Sequence, residues 1–356
     1  MDGGSRSPVG TGPERVFSDL RAVAARVRER LSWEEPDPLA GLPADELPAG
    51  RIGQCARQER ARVLAAGASG LEKLAAGRAE EIGDDESFGV EAVVLSEGRP
   101  ALLVERQDFA PQQGDWAVLE SQRAAIRESL ARVGRVAVSG HVDLDWLGAG
   151  FLVGPETVMT NRHVAAEFAR CAGDGWGFQP GLRAALVLGE GRGSGAEPAD
   201  DEPSYEVTEV LGVHEEVDLA LLRIAPYLGG PALPAPLAIA ADAPADLPGH
   251  PVYCIGYPAW DGRRGEPESI RRIFMDVYNV KRLQPGMSTG LASEGNVMCH
   301  DCSTLGGNSG SPVIDLTDHR VLGLQIGGRY GVGNCAVPLW QLVEDPLLVR
   351  AEVNFV

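Results

Sequence analysis

The chain has 356 residues, enough for two domains of ordinary size, and its 44% hydrophobic residues supply ample material for a globular core. A formal net charge of -19 argues against nucleic acid or an anionic membrane as partner, since both would repel such a surface; simple solubility or attraction of a basic partner remain. The N-terminus lacks the apolar stretch of a signal peptide and no run of about 18 apolar residues occurs, so no membrane span and a cytoplasmic location are expected.

Residues 1–13 are rich in Gly, Ser and Pro and read as a disordered tail. From Pro13 the run ERVFSDLRAVAARVRERL places Val16, Leu20, Val23, Val27 and Leu31 on one helical face. The Pro-rich stretch 33–50 reads as a linker. A second helical segment is expected over 51–82, with a break near Gly67 and Gly70. FGVEAVVL and PALLVERQ, separated by SEGR, read as a β-hairpin, and a further helix is expected over 116–133. Residues 14–132 thus form a mainly helical region with one hairpin, suited to regulation or targeting through a protein partner.

The texture changes at about Val133. Short β-branched or alternating runs, punctuated by Gly and Pro, predict an all-β remainder over 133–356, long enough for two packed six-stranded antiparallel barrels. Residues 339–350 suggest a closing helix interrupted at Pro346, and 258–286 read as a long charged insertion. The insertion concentrates Arg263, Arg264, Arg271, Arg272, Lys281 and Arg282, which suits a solvated loop or a substrate-guiding or regulatory one.

Six cysteines are expected as thiols in a reducing compartment. Cys299 and Cys302 form one Cys-x-x-Cys without a second pair, so a strand or turn beside Ser309 is expected rather than a metal site. Proximity of Cys302 to Cys335 across that loop is left open.

Three segments carry chemistry. GAGFLVGPETVMTNRHVAAEF contains His163, HEEVDLALLRI contains Asp218, and HDCSTLGGNSGSPVID contains Ser309. A serine hydroxyl becomes an effective nucleophile when an imidazole takes its proton and a carboxylate fixes that imidazole's tautomer. The order His, Asp, Ser along the chain is that of chymotrypsin-like enzymes. Only Asp218 directly precedes the apolar run LALLRI, which favours it over Glu215 and Glu216 as a buried acid. The Gly-Gly-x-Ser-Gly turn favours Ser309 over Ser303 and Ser311. Of the other histidines, His214 and His319 are expected on the surface, and His300 is a candidate to line a cleft.

Thr160-Asn161-Arg162-His163-Val164, Asp218-Leu219-Ala220-Leu221-Leu222 and Thr304 through Val313 resemble the three motifs of trypsin-like serine peptidases, in particular the bacterial branch of the glutamyl endopeptidases. Ile255-Gly256-Tyr257-Pro258 resembles a segment of that family's second barrel. The resemblance implies an endopeptidase of chymotrypsin fold acting on protein or peptide through an acyl-enzyme, without cofactor or metal. It makes His163 the general base and acid, Asp218 its orienting carboxylate, Ser309 the nucleophile, and the amides of Gly307 and Ser309 the oxyanion hole. It also places Ser303, Thr304, Gln325 and Gly327 at the substrate pocket, with Gln325 where glutamyl endopeptidases carry a histidine. Relatives of this branch imply regulated processing or a role in bacterial stress or antiphage defence. The rivals are a catalytically silent binding module of the same fold and an esterase using the same three residues.

Overall fold

The computed structural model describes residues 17, 19–33, 51–93, 98–173, 175–191, 202–225, 232–259, 274, 277–329 and 333–356. The expected tail at 1–13, most of the linker and Arg263, Arg264, Arg271 and Arg272 of the insertion lie outside them. The described residues divide into two compact units, one ending at Pro100 and including Phe274 and Val277, the other comprising 101–259 with 278–356. The expected boundary at 132/133 therefore moves to 100/101.

The first unit contains helices α1 (Leu20–Trp33), α2 (Arg51–Ala75) and α3 (Asp84–Val93). Val23, Val27, Leu64, Ala68, Leu71, Val90 and Val93 form its core. Helix α2 runs through Gly67 and Gly70 without the expected break. Its glycines permit a close helix crossing instead: a Cβ on Gly67 would collide with the Gly89 carbonyl, and one on Gly89 would collide with the Gly67 amide. Residues 88–93 of the run expected as the first hairpin strand form the end of α3, and the rest of that run lies outside the described residues. Val90 and Val93, three apart, share the buried face, so the run obeys helical rather than strand spacing.

The second unit opens with strands β1 (Leu102–Glu105) and β2 (Asp108–Phe109), which do form a hairpin, but with each other. Arg106 and Gln107 at its turn both have positive φ, 56° and 55°, matching a tight hairpin connection. Helix α4 (Val118–Leu130) follows, as expected over 116–133, and buries Leu119, Ile126 and Leu130.

Two barrels make up the rest. The first comprises β3 (Val133–Ser139), β4 (Trp146–Leu152) and β5 (Thr157–Thr160). After the short helix α5 (Arg162–Ala166) and the hairpin β6 (Ala169–Ala172) and β7 (Gly175–Phe178), it is completed by β8 (Arg183–Val187), β9 (Ser204–Val213) and β10 (Ala220–Ile224). Its strands close in the order β10-β5-β4-β3-β8-β9. The second comprises β11 (Pro251–Gly256), β12 (Arg282–Leu291), β13 (Met298–His300), β14 (Pro312–Asp315), β15 (Val321–Arg329) and β16 (Gly333–Pro338), before helix α6 (Pro346–Arg350). Its order is β11-β14-β15-β16-β13-β12, closed by the β11–β12 pairing, with β1 extending from β12. These are the two closed six-stranded antiparallel barrels that the sequence predicts.

The core explains why some strands lack alternation. Along β11, Val252 and Cys254 join the second barrel's interior cluster, while Tyr253 and Ile255 join a larger cluster with Phe151, Met159 and Leu221 of the first barrel and Leu119 and Ile126 of α4. Both faces are apolar because both are buried.

Lys281 and Arg282 depart from the charged-loop expectation. Both are buried, Lys281 just before β12 and Arg282 as its first residue. The Lys281 Nζ donates to the carbonyls of Leu130 at 2.9 Å and Leu188 at 3.0 Å, and burial pulls its pKa down to about 7.

Candidate active site

The segment leading to His163 leaves β5 at Thr160. The Thr160 hydroxyl donates to the Ala149 carbonyl at 2.7 Å, which fixes the end of β5 against β4. Asn161 then precedes α5, and its side-chain amide donates to the Asp218 carbonyl at 2.9 Å. His163 follows in the first turn. Its Nδ1 lies 2.7 Å from Asp218 Oδ2, and its own backbone amide donates to Asp218 Oδ1 at 3.0 Å. Both carboxylate oxygens are thus directed at one residue. Burial pushes the Asp218 carboxyl pKa up, but these two hydrogen bonds and the His163 charge outweigh it and hold the group below its usual value. An ionised Asp218 accepts the Nδ1 proton, which leaves Nε2 as the ring's acceptor.

The turn just before Asp218 is held by a residue that the sequence reading placed on the surface. His214 Nδ1 accepts the amides of Glu216 and Val217, both at 3.1 Å, and its Nε2 lies 3.1 Å from Asp345 Oδ2. Asp345 also caps α6, accepting the amides of Leu347 and Leu348. The turn that delivers Asp218 is therefore anchored to a helix near the C-terminus. His319 likewise is engaged rather than free on the surface: its Nδ1 lies 2.9 Å from the Tyr253 hydroxyl.

The Ser309 turn connects to the same place from the second barrel. Ala149 N–H donates to the Ser309 carbonyl at 2.7 Å, while Gly310 N–H donates to Gln325 O at 3.0 Å and stitches the turn to β15. Gly148 lets these segments converge. A Cβ there would stand 2.7 Å from Ser309 O and 2.9 Å from Cγ2 of Val164, the neighbour of His163. Gly307 has φ of +84°, and a Cβ on it would stand 2.5 Å from both Trp146 and the Tyr257 carbonyl. The turn's internal hydrogen bonds use the amides of Asn308 and Ser311, so those of Gly307 and Ser309 lie outside that pattern. Gly256 of the Ile-Gly-Tyr-Pro segment has a packing role, because Asn308 and Ser311 occupy the space where its Cβ would project.

Ser309 Oγ donates to the Ile326 carbonyl at 3.1 Å, at a bulge between Gln325 and Gly327 on β15. The structure thus pairs His163 with Asp218 and engages the Ser309 hydroxyl with Ile326.

The expected pocket residues form a polar chain. His300 Nε2 lies 2.6 Å from Gln325 Oε1, and Gln325 Nε2 donates to Thr304 Oγ1 at 3.3 Å and to Gly327 O at 3.2 Å. Thr304 Oγ1 donates to Asn334 Oδ1 at 2.6 Å, and Asn334 Nδ2 donates to Cys302 O at 2.5 Å. The Ser303 carbonyl accepts from Gln284. His300, a candidate for a cleft wall, is fully buried, and that burial lowers its pKa despite the bond to Gln325. Gln325 is also buried, whereas Ser303, Thr304 and Gly327 are half-buried.

Sequence reading missed Asn161, His214, Gly148, Ile326 and Asn334. Asn161 lies inside a quoted motif and Gly148 at the head of one. The other three act through contacts that no local pattern signals.

Residues 148–324, from β4 to β15, match the sequence model of the trypsin-like peptidase domain, a match that takes in His163, Asp218 and Ser309. It supports a peptidase of trypsin-like fold. Among solved structures, the serine endoprotease from Yersinia pestis is 18% identical with a TM-score of 0.43, covering 65% of this chain and 67% of its own. The active form of the Rv3671c protease from M. tuberculosis is 21% identical with a TM-score of 0.41, covering 72% of this chain and 92% of its own. No curated protein sequence matches this chain.

Proposed function

We propose that this chain is a serine endopeptidase that hydrolyses peptide bonds with His163, Asp218 and Ser309. The observation that carries the reading is the double engagement of Asp218 by His163, at 2.7 and 3.0 Å, which selects the tautomer a general base needs. In the reaction, rotation about the Cα–Cβ bond of Ser309 takes Oγ from the Ile326 carbonyl to Nε2 of His163. His163 accepts the hydroxyl proton as Oγ attacks the scissile carbonyl, and Asp218 stabilises the imidazolium. The amides of Gly307 and Ser309 receive the developing oxyanion. Protonated His163 then delivers its proton to the leaving amine. Water hydrolyses the acyl-enzyme by the same steps, with His163 again as base.

A fluorophosphonate probe tests this directly, because it reacts with an activated serine and not with an ordinary one. The expected result is one label per chain, at Ser309, lost in Ser309→Ala and strongly reduced in His163→Ala. Absence of labelling in folded wild-type protein would favour the silent binding module instead.

A further inference from the structure

We infer that Cys299 and Cys335 form a reversible disulfide, making the β13–β16 pair a redox modification site. In the antiparallel register Cys299 stands directly opposite Cys335, with Met298↔Ala336 and His300↔Asn334 on either side. Directly opposed residues project from the same face of a sheet. Their Cα atoms stand about 4.5–5.5 Å apart, inside the range of about 4.4–6.8 Å that disulfides span. Both thiols are partly exposed, whereas Met298 and His300 are buried. The third residue in the row, across β16 on β15, is Gly327, and nothing stands within 4 Å of where its Cβ would be. A small oxidant therefore has space beside the pair. Cys302, left open as a partner for Cys335, is buried with its Sγ facing Gly286 of β12.

The position gives the bond consequences. The loop it closes contains Thr304, the Ser309 turn and all of β14 and β15. Asn334, next to Cys335, holds both Thr304 and the Cys302 carbonyl. Gly327 directly follows Ile326, whose carbonyl engages Ser309. The bond thus fastens β13 to β16 beside the proposed pocket and shortens the unfolded chain's accessible loops, which stabilises the fold.

The oxidant is a low-molecular-weight disulfide such as glutathione disulfide. One cysteine thiolate attacks a glutathione sulfur, forming a mixed disulfide and releasing one glutathione thiolate. The second cysteine thiolate then attacks the cysteine sulfur of the mixed disulfide, forming the internal bond and releasing the second. Two protein thiols lose two protons and two electrons, and one glutathione disulfide becomes two thiols. Burial and the Cys335 thiol push the Cys299 pKa up, so the exchange accelerates as pH rises above neutrality.

The test incubates the full chain with glutathione disulfide, blocks remaining thiols and maps non-reduced tryptic peptides by mass spectrometry. No Lys or Arg lies between Arg282 and Arg320, so Cys299 and Cys302 share one peptide and serine variants must assign the bond. The expected result is a crosslink between that peptide and the one bearing Cys335, reversed by dithiothreitol and accompanied by a rise of several degrees in Tm. It is lost in Cys299→Ser and in Cys335→Ser and kept in Cys302→Ser. A crosslink that depends on Cys302, glutathione adducts alone, or an unchanged Tm after full oxidation would each overturn the inference. The readout does not depend on catalysis, so failure of the proposed activity leaves it intact.

Discussion

Asp218 has a charge-fixing task and a positioning task at once, because one oxygen takes the His163 ring proton and the other takes the His163 amide. Asp218→Asn removes the charge and can present a donor to Nδ1, favouring the wrong tautomer; kcat on a peptide substrate is expected to fall by about 10⁴. A near-normal rate would reassign the acid. The lowered carboxyl pKa also links to stability. The group's contribution is present above the ordinary carboxylate pKa and lost as pH falls through the folded value. The Tm gap between wild type and Asp218→Asn should therefore shrink in strongly acidic buffer. His250 has the opposite sign. Burial pulls its pKa down, but Asp315 at 2.7 Å and Asp246 at 2.9 Å outweigh that and raise it. Its contribution is complete below about pH 6.5 and is lost as pH rises through the raised value. Thermal melts of His250→Gln and wild type should differ most at mildly acidic pH and converge in alkaline buffer; divergence with rising pH would contradict the assignment.

At the scale of elements, the site depends on how closely β4, α5 and the Ser309 turn approach one another. Gly148→Ala would insert a Cβ at 2.7 Å from Ser309 O and 2.9 Å from Val164, forcing the turn and the His163 helix apart. A shift of roughly 1 Å costs about 10² in rate when catalytic groups are misaligned, so kcat/KM should fall by about that factor while circular dichroism stays native. Unchanged kinetics would show that the turn tolerates the displacement. The elements also show what the sequence revealed and what it hid. The three motifs were legible because each packs its chemistry into contiguous residues whose flanking Gly and apolar runs announce a strand end or a tight turn. Strands β11, β14 and β15 of the second barrel were legible for the same reason, whereas β12, β13 and β16 carried no such signal and the start of β12 fell within the expected charged insertion. FGVEAVVL was misread because a short apolar run satisfies both a period of two and a helical spacing, and the tertiary contact of Val90 and Val93 decided it. His214 was misplaced because its partner Asp345 lies 131 residues away. Strand register, which sets Cys299 rather than Cys302 opposite Cys335, leaves no mark on local composition.

For the whole molecule, the fold class followed from texture, yet the border of the barrel unit did not. Strands β1 and β2 and helix α4 precede the change in texture at Val133 but belong with the barrels, through the Leu102↔Leu283 pairing and through Leu119, Ile126 and Leu130 in the shared core. Any test of a restraining role for the N-terminal region must therefore cut at residue 100 and not at 132. If residues 1–100 restrain the proposed protease, their removal should raise peptide turnover per chain several-fold; equal turnover and unchanged partner binding would contradict that role. Lys281 illustrates a further limit, since polarity assigns a lysine to the surface, whereas its ammonium is satisfied inside by the carbonyls of Leu130 and Leu188 and the side chain of Gln107. The central claim is that His163, Asp218 and Ser309 act together on a peptide bond. A peptide-library cleavage profile of wild type beside Ser309→Ala tests it most directly. Internal cleavages present in wild type and absent in the variant are predicted, whereas equal profiles from the two proteins, or none from a folded wild type under reducing and oxidising conditions alike, would contradict it.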